Sequence, residues 1–180
     1  SDYITTYVER DVRQVLNIGD LRAFMTFTRL CAGRTATEVN LSAMAGDAGI
    51  THNTAKAWLS VLETGFLCTR LPAWHRNLRK QLVKRPKLHF FDTGVVCALL
   101  GITSAEQLRH HPARGAIFES WVVSEMIKAR YHCGQAAALY HFRESRGLEV
   151  DAVMERDGRF ILVEMKSGMT VRSEHLAGLK

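Results

Sequence analysis

Two β-like runs near the carboxyl end, Leu148 to Met154 and Arg159 to Lys166, are separated by Asp157-Gly158, a dipeptide that favours a tight hairpin turn. An antiparallel hairpin is therefore expected. Side chains alternate along a strand, so Phe160, Leu162, Glu164 and Lys166 share one face, and Ile161, Val163 and Met165 share the other. A carboxylate and an ammonium then stand side by side, with Asp151 one strand away. Two acids of this kind hold a hard cation through oxygen ligands, and a nearby lysine orients or deprotonates a water. That set suits phosphodiester hydrolysis. The alternative is a charged strand end that forms a surface ion pair of little energetic weight.

The 180 residues suffice for one large or two small domains, and 47% of them are hydrophobic, enough to bury a core. No long apolar run and no signal-peptide pattern is found, so neither a membrane span nor a membrane partner is expected, and the cytoplasm is the expected compartment. The chain opens at Ser1 and stops at Lys180 in what reads as a new helix, the pattern of a piece of a longer protein. Cys31, Cys68, Cys97 and Cys133 are scattered singly, which points to free thiols rather than zinc or disulfides. The formal charge of +6 favours an acidic partner, nucleic acid first. Arg76, Arg79, Lys80, Lys84, Arg85 and Lys87 crowd one segment with no acid among them. Phosphate contact and a solvated loop balanced by acids elsewhere both fit that run.

Along the chain, Asp2 to Val15 reads as a charged helix and Asp20 to Cys31 as a second, with Asp20 as N-cap. Leu41 to Ala48 gives a short helix, Gly49 a turn, and Thr51 caps a helix with Ala55, Trp58, Leu59 and Leu62 in a buried stripe. Strands over Phe66 to Leu71 and Lys87 to Phe91 follow, with the basic stretch looping out between them. Helix, turn, helix and two-stranded ribbon make a winged helix-turn-helix. Its second helix exposes His52, Asn53, Lys56 and Ser60 toward bases or phosphates, or the unit serves as a docking element. Asp92 caps a helix from Gly94 to Leu100, and Ser104-x-x-Gln107 is a capping box. The longest helix, Gly115 to Tyr131, is apolar on most sides of its first turns, through Ile117, Phe118, Trp121, Val122, Val123, Met126 and Ile127. Glu119 sits among these residues and needs a cation, metal or donors to meet it. Strands over Ala138 to Glu144, Leu148 to Met154 and Arg159 to Lys166, then a helix after Thr170, complete an α-β-β-β-α order.

In this order the pieces resemble the carboxyl-terminal region of prokaryotic predicted AAA-type ATPases, which carry a domain of unknown function after the ATP-binding half. The matching stretches are Tyr7 to Val12, Lys84 to Gly94, Phe118-Glu119, Tyr140 to Arg143, Glu149 to Asp151 and Val163 to Gly168. The resemblance covers nearly the whole chain, and the last part of that family is similar to the PD-(D/E)XK, restriction-endonuclease-like fold. It implies an α+β to α/β architecture: a helical linker over residues 1–34, a winged helix-turn-helix over 35–93, and a nuclease-like core over 94–180, truncated at its end. It implies Asp151, Glu164 and Glu119 around Mg²⁺ (or Mn²⁺), with the Met165 carbonyl as a further ligand, and Lys166 acting on the attacking water or the phosphate. ATP and an ATPase domain belong to the missing half. Val150 stands where the superfamily name has proline.

Nucleic-acid contacts are expected from Lys56, Arg76, Arg79, Lys80, Lys84, Arg85 and Arg143, with DNA favoured. For Arg143, an ion pair with Glu119 or Glu149 is an equal alternative. His110-His111 lacks acids or cysteines at ligand spacing, and Trp58, Trp74 and Trp121 read as packing residues. A metal-dependent deoxyribonuclease and a non-catalytic DNA-binding or signalling module on the same fold are the main functional expectations; a transcriptional regulator built on the winged helix alone is a third, which leaves the downstream acids without explanation.

Overall fold

The computed structural model describes residues 20–77, 79, 84–144, 147–156 and 158–168. The expected helices before Asp20 and after Thr170, together with Lys80 and Asp157, lie outside the described residues. Within them, six helices and two small antiparallel sheets form a mixed α/β chain.

Helix α1 (Leu21–Gly33) starts where the Asp20 carboxylate accepts the Ala23 N–H at 2.9 Å. Phe24, Phe27 and Cys31 repeat at helical spacing and face inward. A two-residue strand β1 (Thr37–Glu38) leads to α2 (Leu41–Ala48). Gly49 takes the left-handed conformation, φ 67°, that ends α2. Thr51 then caps α3 (His52–Thr64), whose Ala55, Trp58, Leu59 and Leu62 are buried as the stripe predicts. The Trp58 ring meets Phe24 and Phe27 edge-on at 5.3 and 5.9 Å. Strands β2 (Cys68–Leu71) and β3 (Lys87–Phe90) complete a sheet of order β1-β3-β2. Asp92 caps α4 (Thr93–Leu99), and Ser104 caps α5 (Ala105–His110). Gln107 Oε1 accepts the Thr103 N–H at 2.7 Å, one residue earlier than the standard capping box. Helix α6 (Arg114–His132) then precedes β4 (Leu139–Arg143), β5 (Glu149–Arg156) and β6 (Arg159–Val163), a meander of order β4-β5-β6.

Two apolar cores result. The larger joins α1, α2, α3, β2, β3 and α4 with Ile117 of α6. The smaller holds Leu71, Val123, Ile127, Leu139, Ala152 and Met165 between α6 and the second sheet. Backbone bonds tie the sheets together just after β2: Trp74 N–H donates to the His141 carbonyl at 2.6 Å, and His141 N–H donates to the Pro72 carbonyl at 2.9 Å. The β4–β5 register shifts between Tyr140 and Phe142, the same point of β4.

Two local expectations are corrected. Helix α6 is not apolar-packed on most sides: Trp121 is 51% exposed, and the buried stripe is Ile117, Ser120, Val123, Ser124 and Ile127. Strand β6 stops at Val163 rather than Lys166. The reason is local, because Met165 N–H donates to the Asp151 carboxylate at 2.8 Å instead of continuing the ladder.

Candidate functional site

The site grows from the alternation of β3. Leu88 and Phe90 enter the larger core, while Lys87 and His89 meet α6 on the other face. His89 Nδ1 lies 3.0 Å from Ser120 Oγ, which is 2.6 Å from Thr35 Oγ1. Lys87 is only 3% exposed. Its ammonium donates to Glu119 Oε1 at 2.9 Å, lies 2.7 Å from Glu149 Oε1 and reaches within 3.6 Å of Asp151 Oδ1. Glu119 comes from α6, and Glu149 and Asp151 stand two apart on one face of β5.

Asp151 continues the chain of charges. Its Oδ2 accepts the Met165 N–H and lies 3.8 Å from Lys166 Nζ, which in turn donates to Glu164 Oε1. Glu164 Oε2 is buried without a hydrogen-bond partner among the described residues. The order of charges is Glu119 and Glu149, Lys87, Asp151, Lys166, Glu164. All four residues expected at the site, Glu119, Asp151, Glu164 and Lys166, are brought into one network.

Electrostatics follow from burial and neighbours. Burial pushes the Glu119 carboxyl up to about 7; Lys87 opposes this, while Asp151 and Glu149 add to it. Glu149 is also partly buried, yet the hydrogen bond and charge of Lys87 hold its pKa below the usual carboxylate range. Burial works against the Lys87 ammonium, but Glu119 and Glu149 outweigh it and raise its pKa. Lys166 is raised likewise, burial being outweighed by Glu164 and Asp151. Burial lowers His89 to about 3, with the Lys87 and His141 charges acting the same way, so its imidazole is neutral at pH 7.

Do these residues fit a divalent ion? Mg²⁺ requires near-octahedral oxygen ligands at about 2.0–2.1 Å. One oxygen each of Glu119, Glu149 and Asp151 faces the Lys87 ammonium, and the other Asp151 oxygen receives a backbone N–H. Among the described residues, no three His, Cys, Asp or Glu side chains are grouped so as to hold a metal ion. With Lys87 in place, the cluster does not fit a dication.

Around Arg143, the cross-strand neighbour of Glu149, opens a cleft of about 590 Å³. Arg76, Lys84, Arg85 and Arg143, drawn from three separate stretches, line it together with Trp74, His75, Phe142, Glu38 and Glu144. Arg143 lies 3.8 Å from Glu38 and stands directly opposite Glu149 in the β4–β5 register, where its charge helps to lower the Glu149 pKa after the larger effect of Lys87. Lys84 Nζ donates to the Arg143 carbonyl at 2.9 Å and sits 5.8 Å from the Phe142 ring centroid. The Trp74 ring stands edge-on to Phe160 at 5.2 Å and tilted to Phe142 at 6.2 Å. Lys56 is exposed on α3 and Arg79 is exposed, but neither lines the cleft. His110 pairs with Glu106 at 3.0 Å on exposed α5.

Sequence reasoning missed two members of the network. It places Lys87 in the basic run and Glu149 beside Arg143, while both belong to the buried cluster. The available signal is the i, i+2 acid pair Glu149 and Asp151 on a strand with apolar Val150 and Ala152.

No helix among the described residues is long and apolar enough to cross a membrane. Residues 114–180 match the model of a domain of unknown function, DUF4143. The chain is 28% identical over 171 residues to "Uncharacterized protein Mb2031c" of Mycobacterium bovis and to "Uncharacterized protein Rv2008c" of Mycobacterium tuberculosis. The alignment covers 93% of this chain and 37% of each relative, so the chain spans little more than a third of their length. No solved structure matches it. Residues 1–106, more than half of the chain, match the model of a second domain of unknown function, and on that match the chain belongs to the DUF8612 family.

Proposed function

We propose that this chain is the nucleic-acid-holding part of a longer, AAA-type ATPase-linked protein, in which a winged helix and a nuclease-like module face one basic cleft. The carrying observation is that Arg76, Lys84 and Arg85 of the basic segment and the sequence-distant Arg143 line one cleft, with Trp74 and Phe142 in its wall. Cations neutralise phosphates, and aromatic rings offer faces to unstacked bases. The order helix, strand, two helices and ribbon over α1 to β3 supports a winged helix. The α6-β4-β5-β6 order, with an antiparallel meander, supports a nuclease-like core. Lys87 neutralises carboxylates that would otherwise repel a phosphate backbone beside the cleft. DNA is the favoured partner, and the ATPase domain of the full-length protein is the second.

The test is a titration of labelled single- and double-stranded DNA in EDTA over a salt series. Binding that weakens steeply with salt, and flattens in Arg76→Ala/Arg85→Ala/Arg143→Ala, is the expected result. Salt-independent binding, or none, removes nucleic acid as the partner.

A second reading, Mg²⁺- or Mn²⁺-dependent DNA hydrolysis by Glu119, Asp151, Glu164 and Lys166, is favoured by their convergence and by the unpartnered Glu164 Oε2. It requires Lys87 to leave its carboxylates. Metal-dependent cutting that disappears in both Asp151→Ala and Lys166→Ala would establish it over the binding reading.

A further inference from the structure

We propose that the Lys87 ammonium is itself the resident cation of the carboxylate cluster, holding two of the three carboxylates, Glu119 and Asp151, that the nuclease resemblance assigns to a divalent metal. The inference deepens the binding reading, and it gives that module a metal-independent site.

The geometry is that of a filled cation site. An ammonium has three donors, and Lys87 meets three carboxylates: Glu119 at 2.9 Å, Glu149 at 2.7 Å and Asp151 at 3.6 Å. They arrive from α6 and β5, elements of the second region, while Lys87 is anchored on the central strand of the first sheet. Strand β3 is paired on both sides, so its backbone has no freedom to withdraw the side chain alone. A dication among the same oxygens would lie against a buried ammonium at close range and be repelled by it. Both Asp151 oxygens already have neighbours: one faces Lys87, and the other takes the Met165 N–H and lies 3.8 Å from Lys166. The same contact gives Lys87 a second consequence: it joins the ribbon of the first region to the helix and sheet of the second.

Removing the ammonium should free the three carboxylates to close on a metal ion, a grouping they do not have with Lys87 between them. Lys87→Ala leaves Glu119, Glu149 and Asp151 around a space the side chain filled, with no counter-ion among them. The experiment is Mn²⁺ titration of the 180-residue chain, with free Mn²⁺ counted by electron paramagnetic resonance. For the wild type, the expected result is no stoichiometric uptake and no Mg²⁺-dependent rise in Tm. For Lys87→Ala, it is one Mn²⁺ per chain and a Tm that rises with Mg²⁺, both abolished by adding Asp151→Asn. Wild-type chain that takes up one Mn²⁺, with the uptake lost in Asp151→Asn, overturns the assignment. So does a folded Lys87→Ala chain that takes up none. If Lys87→Ala does not fold, the wild-type titration still decides. DNA binding of the same samples in EDTA is scored separately: binding kept while wild type takes up Mn²⁺ sinks this inference alone, whereas binding lost while wild type takes up none sinks the nucleic-acid reading alone.

Discussion

The two cores of this chain are held by different physics. The larger one is apolar and aromatic: Phe24 and Phe27 wedge Trp58, and helices α1 to α4 each begin at a side-chain cap. The smaller one holds few apolar side chains and borders a ladder of charges running from Glu119 through Lys87, Asp151 and Lys166 to Glu164. Apolar packing is indifferent to pH and tolerates changes that conserve volume. A buried charge network is neither. Loss of one partner leaves an uncompensated charge, although an apolar replacement of the whole set can be neutral. The region near the proposed cleft is therefore the one whose stability depends on protons and salt.

The largest effects should come from the centre of each core. Phe27→Ala is expected to cost about 3–5 kcal/mol through lost transfer energy and a cavity. Lys87→Met should cost about as much, roughly 3–5 kcal/mol, by stranding buried carboxylates. Urea unfolding over a pH series separates the two. The Phe27→Ala loss should stay constant, while the Lys87→Met loss should shrink as the carboxylates protonate toward about pH 4. A pH-independent Lys87→Met loss would erase the distinction between the cores.

Next in size is a change of slope at Glu119. Its carboxyl titrates at about 7 when folded against 4.5 as a free group, so the folded chain binds the extra proton. That contribution is fully present below pH 4.5 and is lost as pH rises through 7. Glu119→Gln should therefore flatten stability against pH within this window, measured by chemical denaturation. An unchanged slope would mean that the carboxyl stays ionised.

Smaller still is the cleft. Arg85→Ala should weaken DNA binding and reduce the slope of log affinity against log salt by about 0.9 for a duplex. Anisotropy titrations give that slope directly. The smallest effect belongs to the exposed pair Glu125 and Lys128 on α6: Lys128→Ala should change stability by about 0.3–0.5 kcal/mol. A loss as large as that of Lys87→Met would show that exposure does not separate the two ion pairs.

Much of the first region is legible in the sequence because its signals are local. Asp20, Thr51, Asp92 and Ser104 each precede a helix and each caps it. The stripe on α3 buries as its spacing requires. The second region is harder to read, because its determinants act over long separations. Lys87-Leu88-His89-Phe90 alternates polar and apolar, the pattern of a strand with one wet face. Here α6 covers that face, and Lys87 finds Glu119 32 positions away. The need of Glu119 for a cation is readable, but the identity of the cation is not, since a metal and a lysine satisfy the same argument. Trp121 errs in the other direction: it is apolar and sits beside a buried stripe, yet it is half exposed.

Nitrogen-15 NMR of the lysine ammonium groups reports on Lys87 without perturbing it. At neutral pH the account predicts a slowly exchanging Lys87 ammonium signal, hydrogen-bonded to carboxylates and unaltered by added Mg²⁺. A Lys87 signal that exchanges as fast as an exposed lysine, or that moves when Mg²⁺ enters the cluster, would contradict it.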